Sequence, residues 1–224
     1  VDALDVIDTP TRHELPERQT PPVCVIVHAT GETDLDRCLD WYTDARGSNT
    51  DGIAPHYLVT ATGSIRRIVD EGRVARHAAM RAAEAAAYRQ GWETWSRCVW
   101  SPDDRVVDLG VEQPRYRLWR ETWRRTVALQ SPLELVSGDS PNRRSIGIEV
   151  QSLERPPRGD VFEPQQYQAL AALLADVCKR WRIPLDREHV LGHYDVSPLR
   201  RANAGGSFDP GERFNWSRLW DLCR

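Results

Sequence analysis

A chain of 224 residues, 40% of them hydrophobic, suffices for one substantial core, and one large domain fits it better than two. Its 30 basic and 33 acidic side chains leave a net charge of -3, which gives no case for a nucleic-acid binder, and no run approaches the roughly 18 apolar residues of a membrane span. Five cysteines without a C-x-x-C pair exclude a zinc finger and argue against a fully paired disulfide framework; Cys24 and Cys178 sit in apolar patterns and read as buried thiols.

Residues 1–22 are polar and contain Pro10, Pro16, Pro21 and Pro22, so they read as an irregular arm lying on the domain. Val23 to Val27 is a continuous apolar run rich in β-branched residues, consistent with a strand buried on both faces. It ends at His28-Ala29-Thr30-Gly31. A histidine at the end of a central strand is well placed for a site in an α/β protein, and reads equally as a ring satisfied by a backbone partner. Thr33 looks like an N-cap, with Asp34 and Asp36 in the first turn. Leu35, Cys38, Leu39 and Tyr42 then share one helical face, in a helix expected to end near Asp44. Pro55 to Thr60 and Ser64 to Val69, joined by a turn at Thr62-Gly63, read as a hairpin. His56 and His77 each either line a cleft or make a structural hydrogen bond.

The pattern changes over residues 79–144. An alanine-rich helix is expected over Met80 to Tyr88, and a short strand over 103–109. Residues 115–130 alternate arginine with Trp, Leu and Val, which fits a helix face or a strand pair. Trp92, Trp95, Trp100, Trp119 and Trp123 all fall here, so the region reads as a Trp/Arg-rich insertion. Arginine beside tryptophan suits an anionic partner, and suits equally a partly buried wall with its charged tips in water.

Ser145 to Val150 is another strand, with Ile146, Ile148 and Val150 on one side and Gly147 and Glu149 on the other. An unpaired buried carboxylate is expensive, so Glu149 is either functional or on a solvent-facing edge. Pro164 opens an amphipathic helix with a stripe of Tyr167, Leu170, Leu173, Leu174, Val177 and Trp181, which Pro184 stops.

The densest chemistry lies from Glu188 to Pro198 and from Ser207 to Gly211. Val190-Leu191 leads into Gly192-His193, a strand end opening into a loop, and Asp209-Pro210-Gly211 reads as a turn. His193 and Asp209 are either ligand-type residues brought together by a returning loop, or a surface histidine and a turn former. With His28 they supply two imidazoles and a carboxylate, a normal zinc donor set that leaves a position open for water. Glu149 is the best candidate to take the proton of that water. Asp195 is its rival, though two residues after His193 it also suits a role in pinning the loop.

These pieces resemble the type 2 family of zinc-dependent N-acetylmuramoyl-L-alanine amidases, which includes the peptidoglycan recognition proteins. The resemblance is carried by Val25-Ile26-Val27-His28-Ala29-Thr30, Pro55-His56-Tyr57-Leu58-Val59, Arg76-His77-Ala78, Ser145-Ile146-Gly147-Ile148-Glu149, His189 to Pro198, and Asp209 to Trp216. It implies an α/β fold: a mixed central β-sheet flanked by helices on both faces, spanning 23–224 as one domain with the insertion at about 79–144. It implies Zn2+ held by His28, His193 and Asp209, with Glu149 as the catalytic carboxylate, Asp195 behind the ligands and His77 along the substrate groove. It implies hydrolysis of the amide between the lactyl group of N-acetylmuramic acid and L-alanine, in peptidoglycan or muropeptide fragments, in a periplasmic or secreted setting. The alternatives are a non-catalytic peptidoglycan-binding protein and a zinc hydrolase of another amide. Two departures stand out: Ala29 replaces a frequent second histidine, and Gly206-Ser207-Phe208 stands just before Asp209 where a lysine is frequent, so Arg200, Arg201 or His77 is expected to supply any cationic or polar donor near the reacting carbonyl.

Overall fold

The computed structural model describes residues 4–78, 86, 90–100, 106–113, 140–153, 161–197, 209–211 and 213–224. Its centre is a six-stranded mixed sheet. In chain order the strands are β1 (Val6–Asp8), β2 (Cys24–Ala29), β3 (Tyr57–Val59), β4 (Ile65–Arg67), β7 (Ser145–Val150) and β8 (Val190–Gly192), arranged β1-β4-β3-β7-β2-β8. Only the β3–β4 hairpin is antiparallel; β3, β7, β2 and β8 run parallel, so their C-terminal ends lie together. Ligands of open parallel sheets bind beyond those ends.

The alternation expected of β7 is present: its apolar residues and its chemical ones face opposite ways. Val25, Val27, Tyr57, Val59, Ile146, Ile148 and Val150 join one apolar cluster. That cluster is closed by the helix α4 (Pro164–Trp181), whose Leu170, Leu173, Leu174 and Val177 are fully buried, and by α6 (Trp216–Cys223) through Leu219. Each such side chain contributes about 1.5–3 kcal/mol as it leaves water, an upper bound. α4 begins where Gln166 Oε1 accepts from the Glu163 N–H at 2.9 Å, and ends at Arg182, which is left-handed two residues before Pro184.

The helix α1 (Leu35–Thr43) covers the opposite face, where Cys38 and Tyr42 pack with Leu58, Ile68 and Ala75. Its cap is Asp34, one residue later than expected: Asp34 Oδ1 accepts from the Arg37 N–H at 3.2 Å. Glu32 lies two residues before it, with Oε1 accepting from the Thr33 and Asp34 N–H groups. The helix ends at Asp44, in the left-handed region.

The N-terminal arm is less irregular than its prolines imply. Val6–Asp8 pairs parallel with β4 as the edge of the central sheet, and Asp8 makes a two-pronged ion pair with Arg67. An edge strand tolerates the nearby Pro10. Further on, the Arg18 guanidinium donates to the carbonyls of Glu71, Arg73, Arg143 and Ser145, fastening the arm to the start of β7. Burial pushes Arg18 down to about 10, still charged at neutral pH.

Within the insertion, α2 (Trp92–Trp95) precedes an antiparallel pair, β5 (Cys98–Trp100) and β6 (Val106–Asp108), separate from the main sheet. The short strand expected over 103–109 is β6. Arg97 and Asp108 pair at 2.9 Å, and the Trp92 and Trp95 rings lie 5.5 Å apart. The helix expected over 80–88 lies almost wholly outside the described residues, and the 115–130 segment lies outside them. A short helix, α3 (Ser140–Arg144), leads into β7. All five cysteines are free thiols, and Cys24 and Cys178 are buried as expected. Among the described residues no helix is long and apolar enough to cross a membrane.

Candidate metal centre

The site follows from strand register. Val27 pairs with Gly192 across β2 and β8, so the next residues, His28 and His193, leave neighbouring strands side by side. On the other flank His28 pairs directly with Glu149 of β7. Three groups from distant parts of the sequence thus meet at one end of the sheet.

His193 opens a one-turn helix, α5 (His193–Val196). The buried Asp195 makes that turn rigid: its Oδ2 accepts from the Gly192 N–H at 2.8 Å and from Arg187 at 2.6 Å. The Arg187 guanidinium lies 4.0 Å from the Trp216 ring centre and also donates to the Val190 carbonyl. Asp195 therefore holds the turn that presents His193.

Asp209 returns to this point on two backbone ties. Its Oδ1 accepts from the Ala29 N–H at 2.7 Å, and its carbonyl accepts from the Tyr194 N–H at 3.1 Å. That leaves Oδ2 to face both imidazoles: His28 Nδ1 at 3.1 Å and His193 Nδ1 at 3.0 Å. The ligand-type atoms of His28, His193 and Asp209 all lie within 4.8 Å of one another, and all three residues are buried. Burial alone would raise the Asp209 carboxyl; the charge of His28 and the hydrogen bonds from both histidines outweigh it and hold the group well below the usual carboxylate range. Two nitrogens and one single-oxygen carboxylate, fixed from behind by backbone N–H groups, are a donor set that fits a divalent cation such as zinc. At Ala29 it is the backbone N–H that reaches the cluster.

Glu149 is 9% exposed and sits beside His28 on the face of the sheet that α1 covers. The Tyr42 hydroxyl reaches its carboxylate; burial first, and then the charge of Glu149, hold that hydroxyl well above its ordinary value. Tyr42 is a site neighbour that its sequence pattern did not disclose, since its spacing with Cys38 marks only a core-facing stripe.

His77 lies inside the cluster. Its Nδ1 is 3.0 Å from His28 Nε2 and its Nε2 is 3.2 Å from Ser145 Oγ. Burial, and then the neighbouring histidines, hold its imidazole well below the ordinary range, in the neutral form. His56 makes the structural hydrogen bonds open to it in sequence: Gly147 N–H donates to Nδ1 at 2.9 Å, and Arg73 O lies 3.2 Å from Nε2. Arg200 and Arg201 lie outside the described residues.

A mixed sheet with two imidazoles and a carboxylate gathered at its parallel strand ends defines an α/β protein whose cluster could hold a metal ion. A model of the N-acetylmuramoyl-L-alanine amidase family matches residues 18–212, and the chain belongs to that family. It is similar to the N-acetylmuramoyl-L-alanine amidase AmiD of Escherichia coli (strain K12), 32% identical over 116 residues, which cover 47% of this chain and 39% of that protein. It is also similar to the 1,6-anhydro-N-acetylmuramyl-L-alanine amidase AmpD of Enterobacter cloacae, 34% identical over 78 residues, 35% of each chain. The chain thus spans little more than a third of the length of these curated relatives. Among solved structures, a selenomethionine AmpD derivative aligns over 98% of this chain and 94% of its own with a TM-score of 0.56 at 19% identity. The Staphylococcus aureus hydrolase AmiA aligns over 100% and 83% with a TM-score of 0.55 at 11% identity. At those identities the likeness is one of fold.

Proposed function

We propose that the chain is a zinc-dependent amidase that hydrolyses the bond between the lactyl carbonyl of N-acetylmuramic acid and the nitrogen of L-alanine in peptidoglycan or muropeptide fragments. The observation that carries this reading is the convergence of His28, His193 and Asp209 within 4.8 Å, with Glu149 in register beside His28. The names of the two curated relatives point to the same class of bond.

His28 and His193 would hold the ion through Nδ1, and Asp209 through Oδ2. When bound, zinc supplies Lewis acidity to the carbonyl and to water. Glu149 takes a proton from the attacking water as its oxygen adds to the carbonyl carbon. It then returns that proton to the alanine nitrogen as the C–N bond breaks, releasing a lactyl carboxylate and a free amine. Tyr42 keeps the Glu149 carboxylate aimed. Asp195 and Arg187 keep the His193 turn in place. Arg200 or Arg201 takes the part that a lysine before Asp209 would play at the developing oxyanion. A wall substrate goes with a periplasmic or secreted protein.

Mass spectrometry of products from defined muropeptides and from intact sacculi tests the bond and the substrate size together. The expected product pair is a muramic acid carboxylate and a stem peptide with a free L-alanine amine. Cleavage at another amide, or none by zinc-loaded protein, would overturn the reading.

A further inference from the structure

The ring of His77 sits in a built cradle. Its backbone N–H and that of Ala78 both donate to Asn142 Oδ1, at 3.0 and 2.7 Å. Beneath the ring lies Gly147, where a Cβ would come 2.3 Å from His77 Cγ, so only glycine leaves room for it. The ring meets that of His28 edge-on, with planes 89° apart and centres 5.2 Å apart.

The direction of the hydrogen bonds can be worked out from the far end. Ser145 Oγ lies 2.5 Å from the Pro141 carbonyl oxygen. A carbonyl only accepts, and a hydroxyl carries one proton, so Ser145 donates to Pro141 and must accept from its other neighbour. That neighbour is His77 Nε2, which therefore carries the ring proton. A neutral imidazole protonated at Nε2 has its lone pair on Nδ1, so across the 3.0 Å contact the donor is His28 Nε2–H. With Nε2–H given to His77, Nδ1 is the ring nitrogen His28 turns to Asp209 Oδ2 and the ring of His193; it donates to that carboxylate here, and it is the nitrogen whose proton a cation would displace. A backbone carbonyl at Pro141 thus dictates, through one hydroxyl and one ring, that His28 keeps its Nε2 proton and turns Nδ1 to the cluster.

We propose that His77 is a positioning residue of the metal centre: it fixes the tautomer and ring plane of His28 by accepting its Nε2–H, and is itself oriented by Ser145. This rests on the metal-site reading above, and it takes His77 out of the substrate groove. A ring with both nitrogens engaged inside the protein and 9% of its surface exposed has little to offer a substrate.

The test is zinc affinity of the full chain, measured by competition with a chelator, in two variants. His77→Asn places Oδ1 where Nδ1 stood and keeps the acceptor; His77→Leu fills similar space without one. Both lose the Ser145 bond and the ring, so a packing role would weaken zinc equally in both. Loss of an outer-shell partner costs about 10- to 100-fold in metal affinity, so His77→Leu is expected to fall in that range and His77→Asn within about threefold of the parent. Equal losses in the two variants, or parental affinity in His77→Leu, would overturn the proposal. Should His77→Leu fail to fold, Ser145→Ala leaves every ring in place and is expected to weaken zinc severalfold; unchanged affinity there overturns the proposal as well. An unsubstituted chain that takes up no zinc would refute the metal reading itself, and the proposal with it.

Discussion

The two faces of the central sheet are built from the same strands and are both buried, yet they carry different chemistry. One face carries Val25, Val27, Ile146, Ile148 and Val150 against the long helix α4. The other carries His28, Gly147 and Glu149, with His77 laid over the glycine. Along β7 the alternation is one residue wide: Ile148 is fully buried in the apolar cluster, and Glu149 after it faces the site. The apolar face needs only volume and burial, so many sequences would serve. The site face buries imidazoles and carboxylates, and each must find a partner or cost several kcal/mol. That requirement explains the density of hydrogen bonds around His28, His77, His193 and Asp209, and it makes the site face the more demanding of the two to encode.

The sharpest way to separate the faces is at Glu149. Glu149→Gln keeps the size of the side chain and its reach to the Tyr42 hydroxyl but cannot shuttle a proton. Turnover of a muropeptide is expected to fall by about 100- to 10,000-fold, with zinc content and melting temperature close to those of the parent. Full turnover in the variant would move the proton-transfer role elsewhere. The mirror experiment is on the other face. Leu173→Ala, at a fully buried position of α4, is expected to cost about 2–5 kcal/mol of stability. Its zinc affinity should stay within about twofold of the parent, because distant sites act nearly independently. A large loss of zinc in Leu173→Ala would show that the two faces are coupled through the sheet.

The apolar face was also the easier to read from sequence. Its runs at Val23 to Val27 and Ser145 to Val150, and the stripe of α4, are periodic signals that local physics produces. The candidate site residues were legible for a different reason: His28, His193, Asp209 and Glu149 sit near strand ends and in a turn, where each residue type is conspicuous. What stayed hidden depends on contacts distant in sequence. The bonds of His77 to His28 and Ser145 span 49 and 68 residues, and the ion pair that marks β1 as an edge strand spans 59. No window of sequence contains both partners. The cap of α1 was misplaced by one residue because Thr33 and Asp34 are both good caps, and Glu32 decides between them by holding their N–H groups.

A subtler probe asks whether the site face is sealed below the ligands, and His56 supplies it. Burial, with the Arg18 guanidinium 3.0 Å from Nε2, pushes the imidazole from an ordinary 6.5 down to about 3. Above pH 6.5 the ring is neutral in both the folded and the unfolded chain, so it adds no slope to stability. Between 6.5 and about 3 the unfolded chain takes up a proton that the folded one refuses, so stability falls as pH falls. One fully linked group contributes up to about 1.4 kcal/mol per pH unit in that window. Urea unfolding from pH 7.5 to 4.5, with a chelator present so that metal release adds no slope of its own, is expected to show this loss. His56→Gln should flatten the curve by up to about 1 kcal/mol per unit, whatever it does to stability at pH 7.5. Parallel curves for the two proteins would mean that water reaches His56, and that the floor under His77 and Gly147 is open where the apolar face is closed.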